Sequence, residues 1–317
     1  MQQITDLIKK LQDGNERALA QVLSLIEDGG AASAACLDAL FPFSGRSYVI
    51  GVTGSPGAGK STLVDCLVSS LSESGKKVGV LAVDPSSPFT GGALLGDRVR
   101  MVRAGELKGT FVRSMASRGA LGGIAPRTAE AVYAFDAAGF DYVIIETVGV
   151  GQGEVEIIRA ADTVAVVLVP GMGDVVQAMK AGILEIADLF VLNKADYDGI
   201  DRLQQDIVTM LSLADHPPWM PPILKTIASS QTGISELIEA IAAHRSWAEA
   251  NGEYQRRRGL FLEQSLLKNI AGIGAQTVLE KSKASGKYAE LLKEVVARNT
   301  SPRTAAEQMF AAVYKLV

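Results

Sequence analysis

Short runs of aliphatic and β-branched residues alternate along the chain with longer segments whose apolar residues recur at helical spacing. Because the runs are apolar at nearly every position, they predict parallel strands that are buried on both faces of a sheet. The segments between them predict helices that cover those faces. The pattern therefore predicts an α/β fold, a mostly parallel, doubly wound sheet within a domain over residues 45–245. The predicted strands are residues 48–52, 78–83, 110–113, 142–146, 164–169, 189–193 and 223–226.

Helical patterns flank the predicted domain on both sides. Residues 4–27 predict one or two amphipathic helices that end at Asp28-Gly29-Gly30, within an N-terminal helical extension over residues 1–44. Residues 246–317 predict a helical arm that is interrupted at Ser301-Pro302. Such a short segment buries little core of its own, so we expect the arm to pack on the main domain or on a second copy of the chain.

Composition and charge narrow the classes of function. The chain has 317 residues, 48% of them hydrophobic, with 31 basic and 35 acidic side chains. A net charge of −4 creates no positive field for nucleic acid, so we expect no nucleic-acid partner. The longest apolar run, residues 164–169, is too short to span a membrane, and the N-terminus lacks a secretory pattern. We therefore expect no membrane association and a cytoplasmic or organelle-matrix location.

Cysteine and histidine predict neither a disulfide framework nor a transition-metal site. The two cysteines, Cys36 and Cys66, are not spaced as a ligand pair, and we expect both to be small buried residues. The two histidines, His216 and His244, do not cluster and predict no metal ligand.

A phosphate-binding motif provides the strongest chemical prediction. Residues 54–61, GSPGAGKS, form a complete G-x-x-x-x-G-K-[ST] motif between a predicted strand and a predicted helix. Its glycines allow successive N–H groups to face phosphate oxygens, Lys60 is expected to reach the β- and γ-phosphates, and the Ser61 hydroxyl is expected to ligate Mg²⁺. This motif predicts a P-loop nucleoside triphosphatase. Its predicted nucleotide-binding residues are Gly54, Ser55, Pro56, Gly57, Ala58, Gly59, Lys60, Ser61 and Thr62.

A second motif predicts which base is bound. Residues 193–196 match the N-K-x-D pattern of guanine-specific proteins, directly after the sixth predicted strand. The Asp196 carboxylate can accept hydrogen bonds from the two adjacent N–H donors of guanine, which adenine does not present. Lys194 can lie over the base, and Asn193 can tie the loop in place. The loop after the seventh predicted strand, around Ala228, is a weaker candidate for contact with the edge of the base.

The loop after the fourth predicted strand is the candidate for sensing the γ-phosphate. Glu146 stands where many GTPases have the aspartate of D-x-x-G, and Gly149 supplies the glycine. Glutamate is one methylene longer and reaches the same metal through water. Gln152, in a glycine-rich stretch, is either a residue that orients the attacking water or a solvated loop residue.

Two further carboxylates are candidate Mg²⁺ ligands or water-positioning bases, because hard cations prefer oxygen ligands. Asp84 ends the second predicted strand, and its alternative role is to cap the turn at Pro85. Asp97 lies in a glycine-rich loop, and its alternative role is a surface ion pair with Arg98 or Arg100.

Taken together, these motifs resemble the MeaB/ArgK-type GTPases, which are associated with methylmalonyl-CoA mutase. The resemblance rests on GSPGAGKST, VDPSSPFTGGALLGDRVRM, RSMASRGALGG, ETVGVGQGE and PGMGDVVQAMKAGILEIADLFVLNKAD, and it covers nearly all of residues 45–245. It implies a GTPase chaperone that escorts adenosylcobalamin to an acyl-CoA mutase, gates cofactor loading and protects the mutase from inactivation. It also implies a homodimer held partly by C-terminal helices.

The resemblance also assigns roles to positions of this chain. The metal-site acids fall on Asp84, Asp97 and Glu146. Gly153 departs from the family pattern, in which serine is usual. A third switch segment, which in this family contacts the mutase, falls on Gly171, Gly173, Asp174, Gln177 and Lys180.

Alternatives to the chaperone role remain at this stage. An older label for the family predicts a kinase linked to basic amino-acid transport, with an amino acid or a protein as the phosphoryl acceptor. Nickel insertion is disfavoured by the scarcity of histidine and cysteine. The sequence does not distinguish methylmalonyl-, isobutyryl-, hydroxyisobutyryl- and ethylmalonyl-CoA mutases as clients.

Overall fold

Seven parallel strands form a single sheet, as the sequence predicts. The computed structural model describes residues 2–85, 107–117, 125–147, 160–171, 186–213 and 218–314. The strands lie in the order β3-β2-β4-β1-β5-β6-β7, so β1 is central. Their bounds are β1 Tyr48–Gly54, β2 Val78–Pro85, β3 Thr110–Ser117, β4 Tyr142–Thr147, β5 Thr163–Leu168, β6 Leu189–Asn193 and β7 Ile223–Thr226.

Helices precede, connect and follow the strands. Those up to the last strand are α1 Gln2–Gln12, α2 Glu16–Asp28, α3 Gly30–Leu40, α4 Lys60–Glu73, α5 Ala125–Ala137 and α6 Ile200–Leu213. Those after it are α7 Ile234–Ala250, α8 Glu253–Ala284, α9 Lys287–Val296 and α10 Pro302–Tyr314. Short 3₁₀ turns occupy Phe41–Phe43 and Ala228–Ser230.

Two apolar clusters cover the two faces of the sheet. Alternate residues of a strand point to opposite faces, so Val49 joins the first cluster and Ile50 the second. The first cluster contains side chains of α1, α2, α3, α5 and α6, and the second contains side chains of α4 and α7. Every residue of β1, β5 and β6 is buried. This double burial explains why the strands are continuous apolar runs rather than alternating ones.

The N-terminal region contains one helix more than the sequence predicts. The helices expected within residues 4–27 are α1 and α2, and Gly29, with a φ of 72°, ends α2 at the predicted position. The chain then resumes as α3, because the alanine-rich residues 31–40 favour helix once the break is passed. Leu23 and Leu40 are fully buried in the same cluster as Phe135 of α5, so this region shares the core of the sheet.

The chain divides into two compact units, residues 1–258 and residues 259–317. The second unit contains most of α8 together with α9 and α10, and Pro302 begins α10 at the predicted interruption. Its buried apolar residues are Val278, Leu291 and Ala305. Of the helices that the structure describes, none is long and apolar enough to cross a membrane.

An acid–arginine clamp, formed by Asp162, Asp188, Arg257 and Arg258, fixes the amino-terminal ends of the central strands. Asp162 and Asp188 directly precede β5 and β6, and Arg257 and Arg258 lie in the second turn of α8. Arg257 donates from Nη1 and Nη2 to Asp188 at 2.7 and 2.8 Å. Arg258 donates from Nε and Nη2 to Asp162 at 2.8 and 2.7 Å. Two bidentate ion pairs therefore join one helix end to two adjacent strands.

The Asp188 carboxylate also accepts bonds from outside the clamp. The backbone N–H of Val164 donates to it at 2.9 Å, and Nε2 of the fully buried His244 lies 3.2 Å away. Burial opposes ionisation of this carboxyl, but the bonds from His244 and Arg257 outweigh it and hold the pKa below its ordinary value of 3.8. His244, which the sequence does not predict to be a metal ligand, thus lies beside a buried ion pair.

Replacing Asp188 with asparagine is expected to lower the free energy of unfolding by about 3 kcal/mol at pH 7, because the substitution leaves Arg257 and His244 without their buried carboxylate. Urea unfolding monitored by circular dichroism measures the change. The control is Asp201→Asn, whose partner Lys225 lies 2.7 Å away on the surface and whose side chain is 90% exposed. This control is expected to change stability little.

The same variant carries a pH prediction with a definite sign. A carboxyl with a depressed pKa in the folded state stabilises the fold above its unfolded pKa, and that contribution is lost as the pH falls through the folded value. The stability difference between the wild type and Asp188→Asn should therefore be full above about pH 4 and shrink below it. Equal losses in Asp188→Asn and Asp201→Asn would contradict the role of the clamp.

Candidate nucleotide-binding site

The loop between β1 and α4 lies at the carboxyl edge of the sheet, next to its central strand. It begins at Gly54, the last residue of β1, and ends at Lys60, the first residue of α4. Gly54 has a φ of 138°, and a Cβ at this position would collide with the carbonyl oxygen of Val167 on β5. The first glycine of the motif is therefore required both by its backbone conformation and by the neighbouring strand.

Lys60 folds back across this loop. Its ammonium donates to the carbonyl oxygens of Gly54 at 2.7 Å and Ser55 at 2.9 Å, and the residue is only 5% exposed. These bonds hold a buried charge over the entry to the loop, where the N-terminus of α4 adds its positive dipole. The arrangement is suited to an anion with several oxygens.

Ser61 and Glu146 are brought together as the sequence predicts for two oxygen ligands. The Ser61 hydroxyl donates to Oε1 of Glu146 at 2.6 Å, and Glu146 is 5% exposed. The contact arises because β1 and β4 are adjacent, with Val52 opposite Glu146. β4 lies between β1 and β2 in the sheet, and Asp84 is near the carboxyl end of β2. The backbone of Asp84 therefore lies at the same edge of the sheet as Glu146.

This donor set suits Mg²⁺. A hydroxyl and a carboxylate are hard oxygen ligands, and Mg²⁺ in nucleotide sites typically takes one or two protein carboxylates and completes its shell with phosphates and water. In the described ranges, no group of three or more His, Cys, Asp and Glu side chains is placed to hold a metal. The Ser61 hydroxyl and the Glu146 carboxylate therefore fit a magnesium ion that a nucleotide also ligates.

Asn193 joins the phosphate-binding loop to the loop after β7. Its Nδ2 donates to the carbonyl oxygen of Ala58 at 2.8 Å, and its Oδ1 accepts from Thr226 Oγ1 at 3.1 Å and Ala228 N at 3.2 Å. The side chain is 2% exposed. A Cβ on Gly59 would lie 2.5 Å from Asn193 Nδ2, so this glycine allows the close approach. One amide thus fixes three segments relative to one another.

The residues after Asn193 form a tight turn beside the phosphate-binding loop. Lys194 has a φ of 56°, and its ammonium donates to the carbonyl oxygen of Gly57 at 3.0 Å. Asp196 is exposed at the surface of the same turn. Ala228 is 5% exposed and begins the 3₁₀ turn after β7. The structure therefore places residues 193–196 and Ala228 around the rim of the loop.

Cys66 has a polar contact that the sequence does not reveal. It lies on α4 and is buried, as expected, but its thiol donates to the carbonyl oxygen of Ala228 at 3.2 Å. The bond connects residues that are 162 positions apart in the chain. No local pattern marks it, since an isolated cysteine in an apolar helix predicts packing alone.

Of the remaining predicted site residues, some are exposed and the others lie outside the described residues. Pro56 and Thr62 are exposed on the loop and at the start of α4, and Gly171, with a φ of 89°, follows β5 at the same edge. Candidates outside the described residues are Asp97, Gly149, Gln152, Gly173, Asp174, Gln177 and Lys180.

The fold and the loop together define a class of protein. An all-parallel sheet whose central strand leads through G-x-x-x-x-G-K-S into a helix is a P-loop nucleoside triphosphatase. Comparisons with known proteins then identify its family. The family model described as methylmalonyl Co-A mutase-associated GTPase MeaB matches residues 19–285, and the chain belongs to that family.

Individual relatives agree with this assignment. A Pyrococcus abyssi protein whose name contains the word GTPase is 43% identical over 310 residues, which are 96% of this chain and 95% of that protein. The Escherichia coli GTPase ArgK is 36% identical over 315 residues, 96% of this chain and 95% of ArgK. A crystal structure described as a LAO/AO transport system kinase has a TM-score of 0.71 at 29% identity and covers 96% of each chain. The chain is therefore a GTPase.

Proposed function

We propose that this GTPase is a chaperone of an adenosylcobalamin-dependent acyl-CoA mutase, which gates cofactor loading and protects the mutase from inactivation. The observation that carries the proposal is the match of a mutase-associated GTPase family over residues 19–285, on a chain whose phosphate-binding loop is intact. Family membership supports association with methylmalonyl-CoA mutase. The cobalamin cargo and the identity of the client are the finer parts of the proposal.

In the proposed hydrolysis, the chain's own groups bind and orient GTP. Lys60 exchanges its bonds to Gly54 and Ser55 for β- and γ-phosphate oxygens, and the loop N–H groups bind the remaining phosphate oxygens. Ser61 and Glu146, with Asp84 and Asp97, would hold Mg²⁺, which when bound neutralises charge on the phosphates. Gln152 is the candidate for orienting the attacking water, and Gly149 is the candidate for contacting the γ-phosphate.

Loss of the γ-phosphate provides the proposed signal to the mutase. The loops that follow β4 and β5 begin at the edge where Glu146 and Gly171 lie. Gly171, Gly173, Asp174, Gln177 and Lys180 form the proposed coupling switch, which contacts the mutase. A ligand can shift a conformational equilibrium only by its differential affinity for the two states, so contacts to the γ-phosphate must differ between GTP and GDP.

The mutase proposal predicts that a client accelerates GTP hydrolysis. Steady-state phosphate release is measured for the protein alone and with each candidate acyl-CoA mutase, with ATP as the control nucleotide. One mutase should raise the GTP rate at least about tenfold, which corresponds to about 1.4 kcal/mol of transition-state stabilisation. Lys60→Ala removes the phosphate-binding cation, so the phosphate that this variant releases measures the GTPase activity of contaminating proteins. Unchanged turnover with every mutase, while GTP still binds, would contradict the chaperone role.

A kinase is the second candidate function, favoured by the description of the similar crystal structure as a transport system kinase. It differs in the acceptor of the phosphoryl group. With γ-labelled GTP, the chaperone proposal predicts that the label appears as inorganic phosphate, whereas a kinase transfers it to a basic amino acid or a protein. The same reaction mixtures therefore distinguish the two.

We also propose that Asp196 selects guanine. Asp196 is exposed and lies three residues after Asn193, which ends β6 and bonds to the phosphate-binding loop. Asp196→Asn should raise the Kd for GDP about tenfold, because a pair of charge-assisted bonds is lost. Xanthosine diphosphate, which has a carbonyl in place of the exocyclic amine, should bind the variant better than it binds the wild type. Calorimetric titration measures both nucleotides.

The matched control is Asp198→Asn, an exposed acid in the same stretch of chain. It should leave both affinities unchanged. An Asp196→Asn variant with wild-type affinity for GDP and no gain for xanthosine diphosphate would show that the base lies elsewhere.

A homodimer formed through the second unit completes the proposal. Leu266, Ile270 and Ile273 follow one stripe of α8 at i, i+4 and i+7, and they are 60%, 58% and 67% exposed. Such a stripe is what a helix presents to a second copy of itself. Ile270→Lys should convert the dimer to monomer in sedimentation equilibrium. Gln264→Lys is the control, because Gln264 lies about 120° around the helix from Ile270. This variant should remain dimeric. A monomeric wild type would contradict the proposal.

A further inference from the structure

Tyr197 follows the predicted base-binding residues and closes their turn. Its backbone N–H donates to the carbonyl oxygen of Lys194 at 2.9 Å, while the N–H of Ala195 donates to Thr226 at 3.0 Å. Residues 194–197 therefore form a single turn anchored to the end of β7. The turn places the Tyr197 ring beside the side chain of Lys194.

The ring lies close to the lysine ammonium. Lys194 Nζ is 5.6 Å from the centroid of the Tyr197 ring and 3.0 Å from the carbonyl oxygen of Gly57. The cation thus has an aromatic face on one side and the phosphate-binding loop on the other. Attraction between an ammonium and an aromatic face is effective within about 6 Å. The two contacts together fix the end of a side chain that would otherwise be among the most mobile on the surface.

Burial does not account for the tyrosine. Tyr197 is 55% exposed, whereas Ile200, three residues on, is 9% exposed and joins the core. An exposed aromatic ring contributes little to the packing of the sheet, so its contact with Lys194 is the interaction of the ring that bears on the site.

We propose that Tyr197 is a positioning residue for guanine nucleotide binding, and that it acts by holding Lys194 in the conformation that receives the base. The inference rests on the proposed placement of the base beside residues 193–196. Because its ammonium contacts both Gly57 and the ring, the alkyl chain of Lys194 is restricted before the nucleotide arrives. Affinity is gained because the lysine loses less conformational freedom on binding.

The test is a double-mutant cycle on the complete chain, read by calorimetric titration with GDP. Tyr197→Ala should raise the Kd about two- to fivefold, the fold-change that corresponds to an exposed cation–π contact. Tyr197→Phe keeps the aromatic face and should restore the affinity. In a Lys194→Ala background, removal of the tyrosine should cause no further loss, because the group that it positions is absent.

A matched control exists in residues 259–317. Lys283 Nζ lies 5.5 Å from the ring centroid of Tyr288, nearly the same geometry in an element that contributes nothing to the site described above. Tyr288→Ala should leave the Kd for GDP unchanged. Thermal unfolding of the Tyr197 variants without nucleotide should match the wild type, since that ring is more than half exposed and adds little to the core.

The outcomes separate this inference from the proposal beneath it. If Tyr197→Ala weakens GDP equally with and without Lys194, or if Tyr197→Phe is as weak as Tyr197→Ala, the positioning role is overturned. If Asp196→Asn leaves GDP binding unchanged, the proposal that the base lies beside residues 193–196 is wrong, and the inference about Tyr197 loses its basis. If Asp196→Asn weakens GDP binding but the effects of the Tyr197 and Lys194 substitutions on the Kd are additive, only the inference about Tyr197 is overturned.

Discussion

The parallel direction of all seven strands is the constraint on which both ends of this molecule depend. It places every strand's carboxyl end on one edge, so Gly54, Glu146 and Asn193 lie together although they are distant in sequence. It also places every amino end on the opposite edge, where Asp162 and Asp188 enter the sheet. The chain treats these two edges differently.

The amino edge is closed by bonds within the protein. Val49 N–H donates to Asp162 at 2.8 Å and Val164 N–H donates to Asp188 at 2.9 Å, while Arg258 and Arg257 neutralise the two acids. Buried charges are tolerable only when they are paired and hydrogen-bonded in this way. The strands are therefore held firmly at the edge opposite the phosphate-binding loop.

The sequence predicted the parts of the molecule that depend on local pattern. All seven strands and the phosphate-binding loop follow from runs of a few residues, and the contact of Ser61 with Glu146 follows from placing two such motifs on parallel strands. The clamp was not predicted, because Arg257 pairs with an acid 69 positions away and Arg258 with one 96 positions away. In sequence these arginines belong to a charged helix end, which predicts solvent exposure. The Cys66 thiol was missed for the same reason, since its partner Ala228 becomes a neighbour only through the fold. The Tyr197 ring is three residues from Lys194, but their contact depends on the turn that the chain makes at Lys194, which no apolar pattern marks.

The state of the phosphate-binding loop bears on how nucleotide binding is tuned. Lys60 donates to two backbone carbonyls and Ser61 donates to Glu146, so the groups expected to meet phosphate and Mg²⁺ are already satisfied by the protein. In the proposed binding mode, a nucleotide exchanges these bonds for others, so the net free energy of binding is a difference between two hydrogen-bonded states. Asn193 makes no such exchange, because its three bonds all join protein segments and define the distance between the phosphate loop and the base loop. In the proposed binding mode, this fixed distance suits a nucleotide of one length, and the exchangeable bonds at Lys60 and Ser61 make its affinity depend on the phosphates that it carries.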